Sequence, residues 1–462
     1  MKKFLNNSII TWLIVLASLV LAVICVYATE FSWLYKFALA AVFTCAIVYR
    51  NHFCKNAIIL ARTLIGIVFV FSGVVKAVDP MGAQFQIMDY FIAYGTEWAN
   101  PFAQFLALGL NVAEILIGIA LVLNLRMAIT AWMVAGMMAF FSTLTLLDAA
   151  VFTDRVSDCG CFGQFLILTP WQTFYKNVVL NIWVVIVFFG RNRIANPFTF
   201  KTEAIIMITS AIFFFGIQIH GLRHLPMIHF LNWQVGAQLN PPRLPVTFTT
   251  KFQNQNTQEV REFASSELAT LDRSVWTFVE TIIHDPNDPN AGSIMIPMFD
   301  CRGVDAHEVS NFVADRPGAT FIVAIHDIQT ANISNMPRFF ALVDFARKNG
   351  HDFMFLFDGN VTDAALETFK RRIVRQDFNS YFANNRDIMA IIRSNPGLIL
   401  IEDGYITGQW AWRDVPSPDY FVERLGGELV PFTVRPPHLI FNPLYQSHIR
   451  RAINRRSLCC SA

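Results

Sequence analysis

Two cysteines one residue apart, in Asp158-Cys159-Gly160-Cys161-Phe162-Gly163, are the side chains of this sequence best suited to chemistry. A disulfide needs Cα atoms roughly 4.4–6.8 Å apart, which so close a pair reaches only where the backbone turns. Gly160 eases that turn because it carries no Cβ. A bond closed over so short a loop is expected to be strained, and strained or exposed disulfides are the labile ones that exchange with other thiols. Two other readings stay open: a static clip that fixes the loop, and half of a metal site. Two sulfurs without a nearby His fall short of a closed zinc set.

Ionisable residues inside apolar runs are the next candidates, because in a bilayer they are costly and face a partner, a cavity or a functional path. Arg62 and Glu114 are such residues. Counted from the cytoplasmic ends of their runs at ~1.5 Å per residue, their depths differ by roughly 7 Å, a gap that an Arg side chain bridges. The sequence therefore predicts an intramembrane polar pair, either an ion pair that pins two helices or a part of proton or quinone chemistry. Lys76 and Asp148 fall at outer ends of runs, where snorkelling accounts for them and where they frame the mouth beside the cysteine loop. Cys25, Cys45 and Cys54 lie in or beside the first three runs, as small apolar fillers. Cys301, Cys459 and Cys460 lie outside them. Adjacent Cys459 and Cys460 bond each other poorly, which leaves Cys301 or another chain as a partner.

The elements that must position these residues are mostly helices that cross a membrane. Of 462 residues 54% are hydrophobic and 44 are Phe, while charge gathers in the second half, so half the chain is membrane protein and half soluble. Apolar runs near 8–28, 57–77, 102–123, 126–147, 171–190 and 203–220, with a shorter one at 34–49, give seven expected spans against a requirement of about 17–25 residues each. The first run is longer than the apolar core of a cleaved leader and is read as a retained anchor. Lys2, Lys3, Arg50, Lys55, Arg126, Arg191, Arg193 and Lys201 all fall on one side of that arrangement, which makes it cytoplasmic. The opposite loops are mostly acidic. Cys159, Cys161 and the whole C-terminal half are thus expected outside, where disulfides persist.

Past Pro241-Pro242-Arg243-Leu244-Pro245 the composition turns polar. Strands are expected at Val246–Phe252 and Ile294–Phe299, around a turn-rich Asp285-Pro286-Asn287-Asp288-Pro289-Asn290, and Trp276–Ile283 reads as a helix or a strand. Then come a buried strand Ala319–Ile325, a helix Met336–Lys348, a strand Asp352–Phe357, helices Thr362–Arg371 and Ile388–Arg393, a hairpin Leu398–Glu402/Tyr405–Trp410 and a helix at 417–425.

Ala61 to Lys76, with Arg62, Ser72, Gly73 and Lys76, resembles the opening span of DoxX-like proteins, and Asn111 to Gly118, with Glu114, resembles their second. With Cys159 and Cys161 added, residues 57–190 are similar to the four-helix DoxX and methylamine-utilisation (MauE) membrane proteins. The resemblance implies disulfide formation or electron transfer between periplasmic thiols and the membrane, one member being linked to maturation of a disulfide-rich dehydrogenase subunit. The βαβα then ββα order, with Pro396 before the hairpin where a cis-proline is usual, is similar to the thioredoxin fold. This chain departs from it after the first strand: His326-Asp327-Ile328-Gln329-Thr330-Ala331-Asn332 stands where a thioredoxin has Cys-x-x-Cys. His326 would titrate near neutral pH as an acid–base candidate, or is structural. Without thiols the domain is expected to bind clients, with Tyr405, Trp410 and Trp412 either exposed for that purpose or packed in the core.

The expected architecture is an α-helical polytopic membrane bundle with a periplasmic α/β thioredoxin-like domain. It divides as 1–56 N-terminal hairpin, 57–190 DoxX/MauE-like four-helix domain, 191–245 last span and linker, 246–314 mixed extension, 315–430 degenerate thioredoxin-like domain and 431–462 basic tail. The expected function is membrane-embedded thiol–disulfide or electron transfer that serves envelope thiol proteins, with Cys159 and Cys161 as the exchanging pair. No cofactor is required by the sequence, and a quinone is the candidate acceptor. The alternative is a non-catalytic membrane scaffold with a structural disulfide; solute transport coupled through Arg62 and Glu114 has no inverted repeat in its favour. Nucleic-acid binding has no support, since no basic run interleaves with aromatics.

Overall fold

The computed structural model describes residues 2–27, 31–152, 160–163, 165–166, 168–239, 247–254, 260–264, 276–284, 313, 318–373, 375 and 378–427. Cys159, the proline-rich stretch 241–245, Asp285–Asn290, Ile294–Phe299, Cys301, Cys459, Cys460 and the tail 431–462 lie outside these. The chain forms two compact units, Met1–Leu231 and Asn232–Ala462.

The apolar runs of the first unit become helices α1 (Lys2–Tyr27), α2 (Trp33–Val48), α3 (Lys55–Val78), α4 (Pro80–Ala93), α5 (Ala103–Leu123), α6 (Met127–Ala150), α7 (Pro170–Gly190) and α8 (Phe200–Arg223). Their ends follow local chemistry. Thr169 and Gln172 form a capping box on α7 with Pro170 in its first turn, and Thr199 caps α8. Among the described residues, five helices are long and apolar enough to cross a membrane: Lys55–Val78, Glu97–Leu123, Met127–Ala150, Pro170–Gly190 and Phe200–Arg223. Of the other two expected spans, the first lies within the 26-residue α1, with an apolar stretch at Ile9–Cys25, and the second is the shorter apolar helix Trp33–Val48. Helix α4 occupies a stretch expected to be loop; the Asp79 side chain accepts from Gly82 N and Pro80 opens the helix.

Glycines bring α3 and α5 together. A Cβ on Gly66 would lie 2.8 Å from Gly118 O, one on Gly118 would lie 2.8 Å from Gly66 O, and one on Gly73 would lie 2.5 Å from Ile115 Cγ1. With no side chain between them the backbones touch, the usual device for helices in lipid. Ile58, Ile65, Ile117, Leu121, Val134, Ile182 and Ile186 fill the core around this seam. Helices α1 and α2 join it through Trp183 Nε1, which donates to Ser18 Oγ at 2.6 Å, and Tyr35 Oη, which donates to Leu21 O at 3.3 Å. At the basic end Arg193 donates to Asn51 O at 2.8 Å, and Arg126 pairs with the buried Glu203 of α8 at 2.9 Å.

Among its described residues the second unit holds two sheets. Strands β1 (Thr247–Asn254), β2 (Val260–Ala264) and β3 (Trp276–His284) form an antiparallel sheet in the order β2-β1-β3, so the Trp276 segment resolves as a strand. The larger sheet contains β4 (Ala319–Ile325), β5 (Asp352–Asp358), β6 (Ser380–Ala383), β7 (Gly397–Glu402) and β8 (Tyr405–Ala411), ordered β6-β5-β4-β7-β8. Pairing is parallel for β4–β5 and β5–β6 and antiparallel for β4–β7 and β7–β8. Helices α9 (Met336–Asn349), α10 (Asp363–Arg372), α11 (Asn385–Ile391) and α12 (Pro418–Leu425) accompany them. Central β4 is buried at every position, with Thr320 its one polar residue, as a strand covered on both faces requires. Phe321, Phe339, Phe345, Phe355, Phe357 and Phe421 are fully buried in its core.

The short strand β6 was not expected. The Asn395–Pro396 bond before β7 is cis. The unit also begins at Asn232, ahead of the start expected near 246. Gly236 N donates to Ile406 O at 2.7 Å, Ile406 N to Ala237 O at 2.9 Å and Leu239 N to Gly404 O at 2.7 Å, so this segment closes an edge that β8 would otherwise leave unpaired.

Candidate functional site

The expected turn at the cysteines is present. Gly160 and Gly163 have φ of +58° and +52°, the left-handed region that favours glycine, and Gly163 N donates to Gly160 O at 3.0 Å. A Cβ on Gly160 would also lie 2.6 Å from the Gln86 side chain of α4, so backbone and neighbour both demand glycine there. Phe162 is buried, 5.9 Å from the Phe71 ring, with Lys176 Nζ of α7 4.7 Å from its centroid. Phe165 stands edge-on to Phe71 at 5.3 Å. Cys161 is half-buried at the centre of this turn.

Beneath the turn lies an ion pair other than the expected one. Lys76 Nζ is 2.5 Å from Glu114 Oε1, with the two side chains 9% and 2% exposed, a burial that only a close, fully engaged pair tolerates. Ser72 Oγ lies 2.9 Å from Glu114 Oε2 and 2.6 Å from the backbone oxygen of Cys161. Ser72 and Lys76 are one helical turn apart on α3, so both meet the Glu114 of α5. The Lys76 ammonium also lies 5.9 Å from the Phe141 ring of α6. Asn111, almost wholly buried, donates through Nδ2 to Lys76 O at 3.2 Å and to Gln218 Oε1 of α8 at 3.1 Å, holding three helices at the level of the pair.

Arg62 does not pair with Glu114. Its Nη1 donates to Leu121 O at 2.8 Å and Val122 O at 3.2 Å, where the last turn of α5 leaves carbonyls unpaired and its dipole favours a cation. The helices run antiparallel with Gly66 against Gly118, and the ten residues from Arg62 to Ser72 rise about 15 Å, twice the separation expected from the sequence. Lys76 is likewise drawn inward to the carboxylate instead of snorkelling out. Asp148 is fully buried, and Tyr94 Oη, at the C-terminal cap of α4, donates to its Oδ1 at 2.5 Å, so it too is held inside and not at an open mouth.

In the second unit, His326 is half-buried. Burial lowers its pKa to about 4; Asp327 opposes this and Arg393 adds to it. His326 is therefore neutral at pH 7, which removes the expected titration near neutrality. Asn395 O accepts from Asn332 N at 3.0 Å and Asn395 Nδ2 donates to Asp327 O at 2.7 Å, binding the loop after β4 to the residue before Pro396. Of the three aromatics expected as a binding surface, Tyr405 is exposed, whereas Trp410 and Trp412 are half-buried. Trp410 covers Gly408 and stands 5.5 Å from Phe421, and Trp412 stacks under Arg413 at 4.4 Å.

The Ser72–Cys161 contact and the Lys76–Glu114 pair escaped residue-level reasoning. The spacing of Gly66, Gly73 and Gly118, which sets the register of α3 on α5, was the signal that could have found them. Among the described residues no cluster of three or more His, Cys, Asp or Glu is placed to hold a metal ion.

Residues 54–190 match the family model described as methylamine utilisation protein MauE, a stretch that contains α3 to α7 and with them Ser72, Lys76, Glu114 and Cys161. No curated protein and no solved structure matches the chain.

Proposed function

We propose, from the likeness of residues 54–190 to MauE, that this integral membrane protein exchanges thiols and disulfides through Cys159 and Cys161 on behalf of envelope proteins. The observation that carries the reading is the tether of the cysteine turn to a buried ion pair. The Cys161 carbonyl is 2.6 Å from Ser72 Oγ, which is 2.9 Å from a Glu114 already engaged by Lys76. Ionisable groups are costly inside a bilayer and are kept where they act, and these stand one hydroxyl away from a reactive sequence. The DoxX-like relationship, seven spans, the outward facing of the turn and of the second unit, and a thioredoxin-like fold for the larger sheet are parts of this proposal.

The second unit would then be the client-binding module. It brings no cysteine to the loop after β4, and His326 is neutral there, so exchange falls to the membrane turn. A quinone stays the candidate acceptor from the sequence, and no step of the proposal is routed through it.

The test is the midpoint potential of the Cys159/Cys161 pair in the purified full chain, read by mass-shift alkylation across a glutathione series. A value above about −220 mV supports an exchange-competent disulfide, whereas one below about −300 mV, or thiols that never pair, leaves a static clip on a membrane scaffold.

A further inference from the structure

Glu114 has two oxygens to satisfy where water hardly reaches, its side chain being 2% exposed. Lys76 Nζ meets Oε1 at 2.5 Å. The donor to Oε2 is Ser72 Oγ at 2.9 Å, and the same hydroxyl lies 2.6 Å from the backbone oxygen of Cys161. A hydroxyl has one proton to give, while carboxylate and carbonyl oxygens only accept. While the turn is seated, the two oxygens therefore contend for one proton. When the turn lifts, Ser72 donates wholly to Glu114 and the Cys161 carbonyl accepts from water, so neither goes short, whereas a buried acceptor left short is costly. What opposes lifting is the packing of Phe162, which is buried beside Phe71 and under Lys176 Nζ, together with the left-handed Gly160 and Gly163 that set the reversal. The contested hydroxyl makes the seat easier to leave.

We infer that Ser72 is a positioning residue that latches the reduced cysteine turn, and that ionised Glu114, by competing for its proton, keeps the latch weak enough to release Cys161. Cys161 carries a thiol and is half-buried in the seated turn, so the disulfide of a partner protein reaches its sulfur as the turn lifts. The inference rests on the thiol–disulfide reading for its purpose and adds to it the step that admits the partner. Lifting exchanges hydrogen bonds alone: no electron moves and Glu114 stays ionised beside Lys76. Two neighbours in one chain of hydrogen bonds thereby acquire opposite effects. Loss of the Ser72 hydroxyl frees the turn. Gln in place of Glu114 tightens it, because the amide oxygen still accepts from Lys76 while the amide nitrogen donates to Ser72 Oγ and leaves the hydroxyl proton to Cys161 alone. A Glu114 that served only to brace the helices would loosen the turn on the same change.

The experiment is the rate of Cys161 alkylation by a water-soluble maleimide in the full chain carrying Cys159→Ser, in lipid nanodiscs after reduction and removal of the reductant, with the modified residue identified by peptide mass spectrometry. Ser72→Ala should react about three- to tenfold faster than this parent, the range that one lost hydrogen bond supplies. Ser72→Thr, which keeps a hydroxyl, should react at close to the parent rate, and Glu114→Gln more slowly than the parent. Because Glu114→Gln leaves Lys76 without a counter-charge, Lys76→Met/Glu114→Gln, which buries no charge, repeats the measurement and should also be slower. A Ser72→Ala rate equal to the parent's, or Glu114→Gln variants no slower than the parent, overturns the inference. Every rate is read on reduced protein, so that result leaves the exchange reading to the midpoint potential, and a midpoint that defeats the exchange reading does so without altering these rates.

Discussion

At the scale of single residues, the buried carboxylate and its two partners are the most exposed to test. Removing Lys76 strands a charge: Lys76→Met should cost about 3–5 kcal/mol of stability, the range for breaking a buried pair from one side. The double change Lys76→Met/Glu114→Leu should recover most of it, and denaturation of the full chain in bicelles compares the two; a single variant as stable as wild type would sink the pair. His326 gives a pH prediction. Its folded pKa of about 4 lies below an unfolded value near 6.5, so between those limits the unfolded chain binds the proton first. Stability is therefore complete above about pH 6.5 and declines toward pH 4. His326→Phe should flatten that limb, as measured by amide exchange of β4 and β7 in the full chain at stepped pH. At this scale the sequence was partly legible. Gly160 announced a turn, and Lys76 and Glu114 stood out as charges in apolar runs, but which charge met which was hidden, because depth counted along one helix says nothing of its register on another.

Elements carry the geometry. Helix α3 lies on α5 closely enough that Gly66 and Gly118 meet backbone to backbone, and Gly73, next to Ser72 and about one turn from Lys76, receives Ile115. Gly118→Leu must force the helices apart, with a cost of about 1–3 kcal/mol expected of overpacking. It should also weaken the hold on the cysteine turn. Faster alkylation of Cys161 in that variant than in wild type, under equal reduction, is the outcome to look for; an unchanged rate would separate the seam from the site. Most element boundaries of the larger sheet were legible to within a residue or two because β4, β5, β7 and the helices between them are long and strongly patterned. Strand β6 has four residues, too few for a period to show, and exists because β5 offers it a parallel edge. Helix α4 was missed for a related reason: it is too short to read as a span, and its start is written only in Asp79 and Pro80.

Over the whole molecule, two compact units follow from two compositions. The proposed orientation predicts that a protease added to spheroplasts cleaves within 247–427 while leaving the α5–α6 and α7–α8 loops intact; cleavage of those loops instead would invert the arrangement. By itself the sequence determined that the chain enters a membrane, where its long helices run, that a second unit follows, and that a turn at Gly160 holds cysteines. Each of these depends on hydropathy, period or a backbone preference that acts over neighbouring residues. Only the tertiary structure decided that Glu114 meets Lys76 and Ser72 while Arg62 caps α5, that Asp148 is buried against Tyr94, and that Trp410 folds over Gly408. Those pairings come from side chains far apart in sequence, and their register is set by where two glycine-faced helices can touch.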